Sequence, residues 1–212
     1  MRAARLLLYN YCIMEQELIE QNKEDFLNIL RTNVHREGLE KFIDWLTSTD
    51  FFVAPASSRF HLGEPGGLCQ HSLNVYERLE KLCIMEYGED SYNKESVAIC
   101  GLLHDICKAN FYKVEMRNKK EDGVWVQKPF YVVDEDLPYG HGEKSVYIIN
   151  GYMRLTREEA MAINWHMGGF DPRVRANNLG NIPAFVKFPF ACLTHIADFM
   201  ATYLDEYGSD EE

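Results

Sequence analysis

Apolar residues recur at spacings of three and four along most of the chain, and that periodicity leaves room for little but packed helices. Leu18, Ile19, Phe26, Ile29 and Leu30 mark a helix from Glu15 to about Arg31, and Leu39, Phe42, Ile43 and Leu46 mark a second over 37–47. Further helices are predicted over 68–87, 93–108, 142–152, 156–166 and 184–207. Ser91 or Asn93 suits the cap of the fourth, and Thr156 with Glu159 is a capping box for the sixth. One segment departs from the pattern. Over 111–133 the strand formers Tyr112, Val114, Val124, Trp125, Val126, Phe130 and Tyr131 flank a turn cluster ending in Asp122-Gly123, which predicts a β-hairpin. Residues 51–67 and 170–183 are punctuated by Pro and Gly and read as loops. The fold class is all-α (mainly), a helical bundle with a small β-hairpin insertion.

A chain of 212 residues with 46% hydrophobic residues has enough apolar side chain for one well-buried core. The division expected is an N-terminal extension over 1–13, helices over 14–50 packed on the core, the main domain over 51–208 and an acidic tail over 209–212. Arg2, Arg5 and Leu6-Leu7-Leu8 resemble the first half of a signal peptide, but Tyr9 and Asn10 break the run and no small-residue cleavage site follows. The change of pattern at Met14 makes it an alternative natural start. No stretch reaches the roughly 20 apolar residues of a membrane helix, so no membrane partner is expected. The six cysteines contain no C-x-x-C pair and read as reduced thiols, which points to a cytoplasmic protein. A formal charge of −11 repels phosphate backbones and disfavours long nucleic acid as a partner. A small anionic substrate stays compatible, since a metal and a few local cations can reverse the field inside a pocket.

Five of the seven histidines lie within or at the ends of predicted helices, as they would in a bundle that points ligands into one core site. His104-Asp105 closes the apolar run Val97–Leu103, and a buried imidazole and carboxylate side by side need a partner. A divalent metal satisfies both; a solvated helix end, where His favours the C-terminal dipole, is the plainer alternative. His195 and Asp198 share a face of the otherwise apolar last helix. His71 opens the third helix behind Gly66-Gly67.

The order His71 … His104-Asp105 … Asp198 resembles that of the HD-domain metal-dependent phosphohydrolases. The segments "GGLCQHSLNV", "CGLLHDICKAN", "GHGEKSV", "NWHMGG" and "THIADFMATYLD" are similar to that family's over about residues 50–206. The resemblance implies an HD-domain helical bundle and a ligand set of His71, His104, Asp105, His141, His166 and Asp198. Four of these, His71, His104, Asp105 and Asp198, would hold one metal. Members with extra histidines between the HD pair and the last Asp hold two, and His141 and His166 fall in that interval, with Asp105 as the bridge. The resemblance also gives Lys108 to the substrate phosphate, making Asp105 and Lys108 the expected catalytic residues; a cation favoured by a helix C-terminus is the plainer reading of Lys108. Arg59 and His61, in the long loop before Gly66, are expected to bind substrate. His195 is expected either to support a ligand from behind or to bond a carbonyl.

Imidazole and carboxylate ligands suit iron, manganese, nickel, cobalt or zinc without selecting among them, as one ion or two. The function expected is that of a metal-dependent phosphohydrolase or phosphodiesterase acting, through a metal-activated water, on a nucleotide or other small phosphoester. The alternatives are a di-iron oxygenase on the same scaffold and a non-catalytic nucleotide-binding regulatory module. Several segments also resemble HD-type 3′–5′ exoribonucleases, but the basic groove of a polymer-binding enzyme is missing. The aromatic hairpin is a candidate lid or homodimer contact.

Overall fold

The computed structural model describes residues 2–58, 62–121, 123–177 and 179–207, with the backbone alone described for 2–15 and Glu121. The helices are α1 (Arg2–Asn33), α2 (Leu39–Thr47), α3 (Gly67–Tyr87), α4 (Lys94–Leu103), α5 (His141–Asn150), α6 (Arg157–Asn164), α7 (Pro172–Arg175), α8 (Asn181–Lys187) and α9 (Pro189–Met200). Strands β1 (Tyr112–Glu121) and β2 (Val124–Val133) pair antiparallel from Tyr112↔Val133 to Glu121↔Val124. The fold is thus mainly α with one small hairpin, as the periodicity predicts.

Helix α3 is the spine, packed between α4 and α9, while α6 bridges α9 and α5 and α1 covers α3 and α4. The core is built from Phe26, Leu30, Phe42, Leu46, Phe51, Leu68, Leu79, Ile99, Leu102, Leu103 and Ile149, all fully buried. Each buried side chain of this size contributes about 1.5–3 kcal/mol. The N-terminal helices therefore share one core with the rest of the chain. A charged joint with a buried carboxylate borders these apolar groups. Arg36 donates to both oxygens of Glu159 at 2.6 and 2.7 Å, and Glu159 also accepts from Ser96 Oγ and Thr156 N–H.

Several elements differ from the sequence expectation. Helix α1 begins before Glu15 and passes Met14 without a break. The fourth helix, expected to reach Lys108, stops at Leu103; a turn carries His104 and Asp105, and Ile106–Lys108 forms a 3₁₀ turn. The expected loop over 170–183 contains α7, which Asp171 caps and Pro172 opens. The single last helix is divided, because Pro189 starts a new helix where its missing N–H costs nothing. Helix α9 then widens into a π turn over Ala201–Glu206. Among the described residues, no single helix is long and apolar enough to cross a membrane.

Candidate metal centre

Two glycines set the spacing of the site. A Cβ on Gly101 of α4 would lie 2.6 Å from Tyr76 Cα, so α3 and α4 approach backbone to backbone. A Cβ on Gly142 of α5 would lie 2.4 Å from the Asn164 carbonyl, so α5 and α6 do the same. The first contact draws His71 and His104 together, their Nε2 atoms 3.2 Å apart. The second draws His141 and His166 together, ring centroids 5.3 Å apart.

Helix ends orient the rings. His104 follows the last residue of α4, and its Nδ1–H donates 2.9 Å to the Gly101 carbonyl. His166 lies just past α6, and its Nδ1–H donates 2.7 Å to the Ile163 carbonyl. Terminal carbonyls left without intrahelical partners thus fix both tautomers and point both Nε2 lone pairs inward. His71 Nδ1 bonds the Glu206 carboxylate, which leaves its Nε2 facing the same space, 3.3 Å from Asp198 Oδ1.

Asp105 stands between two sets of histidines. Its Oδ1 lies 2.6 Å from His141 Nε2 and 3.4 Å from His166 Nε2. Its Oδ2 lies 3.7 Å from His104 Nε2, 3.8 Å from His71 Nε2 and 2.6 Å from Lys108 Nζ. Lys108 also donates 2.7 Å to the Ala56 carbonyl. Three groups of potential ligand atoms overlap here: His71, His104 and Asp105; His104, His166 and Asp198; and Asp105, Cys107 and His141. In each, the ligand atoms lie within 4.8 Å of one another.

The electrostatics match a cation site. Burial pushes His104 down to about 4, so it is a neutral lone-pair donor. Burial also opposes charge on His71, but hydrogen bonds to Asp198 and Glu206 outweigh it and raise its pKa to about 10. His141 is likewise raised to about 10, with burial outweighed by Cys107 and Asp105. Asp105 is held well below the usual carboxylate range: burial opposes its charge, but Lys108 and His141 prevail. Asp198 is lowered too, against burial, by His71. Protons on His71 and His141 thus stand where a cation would neutralise the carboxylates. His166 Nε2 is buried and has no hydrogen-bond partner, which ordinarily costs about 1–3 kcal/mol. A divalent metal ion fits this donor set: it would give His166 Nε2 the partner it lacks and would stand in for the imidazolium protons.

The structure therefore brings together all six residues of the expected ligand set, and Lys108 with them. His195 sits behind the cluster. Its Nδ1 bonds the backbone carbonyl of His166 at 2.6 Å, so it supports that residue's main chain and not its ring. Arg59 and His61 lie outside the described residues. Two participants are missing from the sequence reading. Cys107, two residues after Asp105, places Sγ 3.4 Å from His141 Nδ1. Glu206 lies behind His71. Neither carries a signal in the sequence: the Cys107–His141 contact needs α5 brought against the 3₁₀ turn, and a regular helix would turn Glu206 away.

The chain matches the HD-domain family over residues 68–184. No curated protein and no solved structure matches it.

Proposed function

The chain belongs to the HD-domain family of metal-dependent phosphohydrolases, and from that premise we propose that it hydrolyses a nucleotide or another small phosphoester. The observation that carries the proposal is the position of Asp105, one oxygen toward His141 and His166 and the other toward His71 and His104. On this reading His71, His104, Asp105 and Asp198 would hold one divalent transition metal, and His141 and His166, with Asp105 in common, would hold a second. When bound, such ions supply Lewis acidity and lower the pKa of water from 15.7 toward about 7.

The chain's own residues do the rest. The carbonyls of Gly101 and Ile163 keep His104 and His166 in the tautomer that presents Nε2. The rigid helix ends hold the ligands in register before substrate arrives, which is the source of catalytic preorganisation. Among the described residues Lys108 brings a fixed cation to Asp105 Oδ2, and its ammonium would take the phosphoryl oxygens of a bound ester. Burial of His71, His104 and His166 excludes bulk water from the back of the site.

The test is turnover. Protein stripped with a chelator and reloaded with Mn²⁺, Fe²⁺, Co²⁺, Ni²⁺ or Zn²⁺ is offered nucleoside mono-, di- and triphosphates and cyclic nucleotides. Release of phosphate or nucleoside is expected with at least one ion, and Asp105→Asn and His104→Ala abolish it. Absence of turnover with every ion and substrate sinks the proposal. Oxygen uptake coupled to turnover of the iron-loaded protein would replace hydrolysis with oxygenation.

A further inference from the structure

Glu206 is a buried acid at the end of the last helical segment among the described residues, outside the residues that match the family and outside the six-residue ligand set. Both of its carboxylate oxygens face His71 Nδ1, at 3.0 and 3.1 Å. Asn74 Nδ2 donates to Oε1 at 2.9 Å. Asn74 Oδ1 in turn accepts from Gln70 Nε2 at 2.8 Å, and Gln70 Oε1 accepts from Asn22 Nδ2 at 2.8 Å. Three side-chain amides therefore run from α1 through α3 to Glu206, each donating in the same direction. The neighbouring acid, Asp205, is used differently: it pairs with Arg78 at the surface.

The π turn explains how Glu206 reaches this place. Asp198 and Glu206 are eight residues apart, and a regular α-helix would leave them about 80° apart around the axis. The wider π turn over Ala201–Glu206 advances less per residue and rotates Glu206 back onto the face of Asp198. One helix then holds both ring nitrogens of His71, with Asp198 at Nε2 and Glu206 at Nδ1. His104 and His166 are oriented by neutral backbone carbonyls. Among the described histidines of the cluster, His71 alone has a buried carboxylate at its Nδ1. Such outer partners fix a ligand's tautomer and raise its basicity.

We propose that Glu206 is a positioning residue of the metal centre, delivered by the π turn and held by the Asn22–Gln70–Asn74 relay. It keeps His71 in the Nδ1–H form and strengthens Nε2 as a ligand. The inference rests on the metal-binding reading above and adds to it a residue from beyond the family segment.

The experiment measures Co²⁺ affinity by chelator competition, together with the Co²⁺ ligand-field spectrum, on the full chain well below its melting temperature. Glu206→Ala is expected to weaken affinity roughly 10–100-fold and to shift the spectrum. Glu206→Gln keeps a neutral acceptor for Nδ1–H and is expected to recover part of that loss. Asp205→Asn removes the surface pair only and is expected to leave affinity within about twofold of wild type, a typical measurement margin for an uninvolved site. If Glu206→Ala fails to fold, Glu206→Gln and Asn74→Ala decide the matter, both being expected to weaken binding. Wild-type affinity and spectrum in the folded Glu206 and Asn74 variants overturn the proposal. If His104→Ala still abolishes binding, the metal-site reading survives that failure. A wild-type chain that binds no Co²⁺ overturns both.

Discussion

Gly101→Ala sets two physical effects against each other, and the geometry decides the sign. Helix propensity alone favours the change, because alanine inside a helix is about 1 kcal/mol better than glycine. Gly101 lies in α4, so that gain applies. Packing opposes it. The new Cβ would meet Tyr76 Cα at 2.6 Å, Cβ at 3.0 Å and N at 3.1 Å, which are mostly backbone atoms of α3 that cannot swing aside. Ordinary carbon contacts lie at about 3.5–4.0 Å, so α3 and α4 must separate by about 1 Å. Overpacking of this kind costs about 1–3 kcal/mol. The expected net effect is a loss of about 0–2 kcal/mol, or a melting temperature lower by up to roughly 8 °C for a chain of this size. The same separation pulls His71 Nε2 and His104 Nε2 apart from 3.2 Å, so Co²⁺ affinity falls with it. Thermal unfolding of metal-free protein followed by circular dichroism, and chelator competition for Co²⁺, read the two effects. A melting temperature that rises by the propensity gain, with unchanged Co²⁺ affinity, would refute the claim that this glycine sets the helix spacing.

The Arg36–Glu159 joint predicts acid sensitivity. Glu159 is held below its ordinary pKa: burial opposes its charge, but hydrogen bonds from Arg36, Thr156 N–H and Ser96, with the charge of Arg36, outweigh it. A carboxylate depressed in the folded state stabilises at pH above its unfolded value of about 4.3, and that contribution fades as pH falls through the folded value. Glu159→Gln is therefore expected to flatten the decline in melting temperature below about pH 4.5, whereas a decline as steep as wild type contradicts the assignment. Arg36→Ala leaves the buried carboxylate without its cation and is expected to cost about 3–5 kcal/mol at pH 7, read by urea unfolding; a loss below about 1 kcal/mol would contradict the burial argument. Metal itself stabilises by mass action. A free ion concentration about 100 times its dissociation constant adds about 2.7 kcal/mol, which raises the melting temperature by roughly 5–11 °C, reversibly with chelator; no shift would mean that the cluster does not select a metal.

Much of the architecture was legible because helical periodicity survives without tertiary information. Thr156 and Glu159 form the capping box their spacing announces, and Asn93 caps α4 through a bond from the Ser96 N–H to its side chain. The hairpin followed from its strand formers and its Asp-Gly turn. The breaks were harder to see. Nothing in the apolar run before His104 shows that the helix stops there, because the stop is tied to a ring bonding back to the Gly101 carbonyl. Pro189 was a visible breaker, but the apolar stripe on either side of it masked the division. In the site, the resemblance supplied the six converging residues, and the structure supplied the reasons they converge, in Gly101 and Gly142. Glu206 lay beyond reach, since eight residues from Asp198 is the wrong spacing for an α-helix and only the π turn corrects it. Cys107 reads in the sequence only as a reduced thiol, and its contact with His141 depends on how α5 meets the 3₁₀ turn.

If His71, His104, Asp105, His141, His166 and Asp198 form one metal centre with Asp105 shared between two ions, anomalous diffraction from crystals of the Mn²⁺- or Co²⁺-loaded protein, collected on both sides of the metal edge, will show it. Two anomalous peaks are expected, one on each side of the Asp105 carboxylate, the first within bonding distance of His71, His104 and Asp198 and the second of His141 and His166. A single peak would refute the sharing of Asp105 between two ions, and strong peaks remote from Asp105, or none in protein that retains metal by elemental analysis, would refute the metal centre itself.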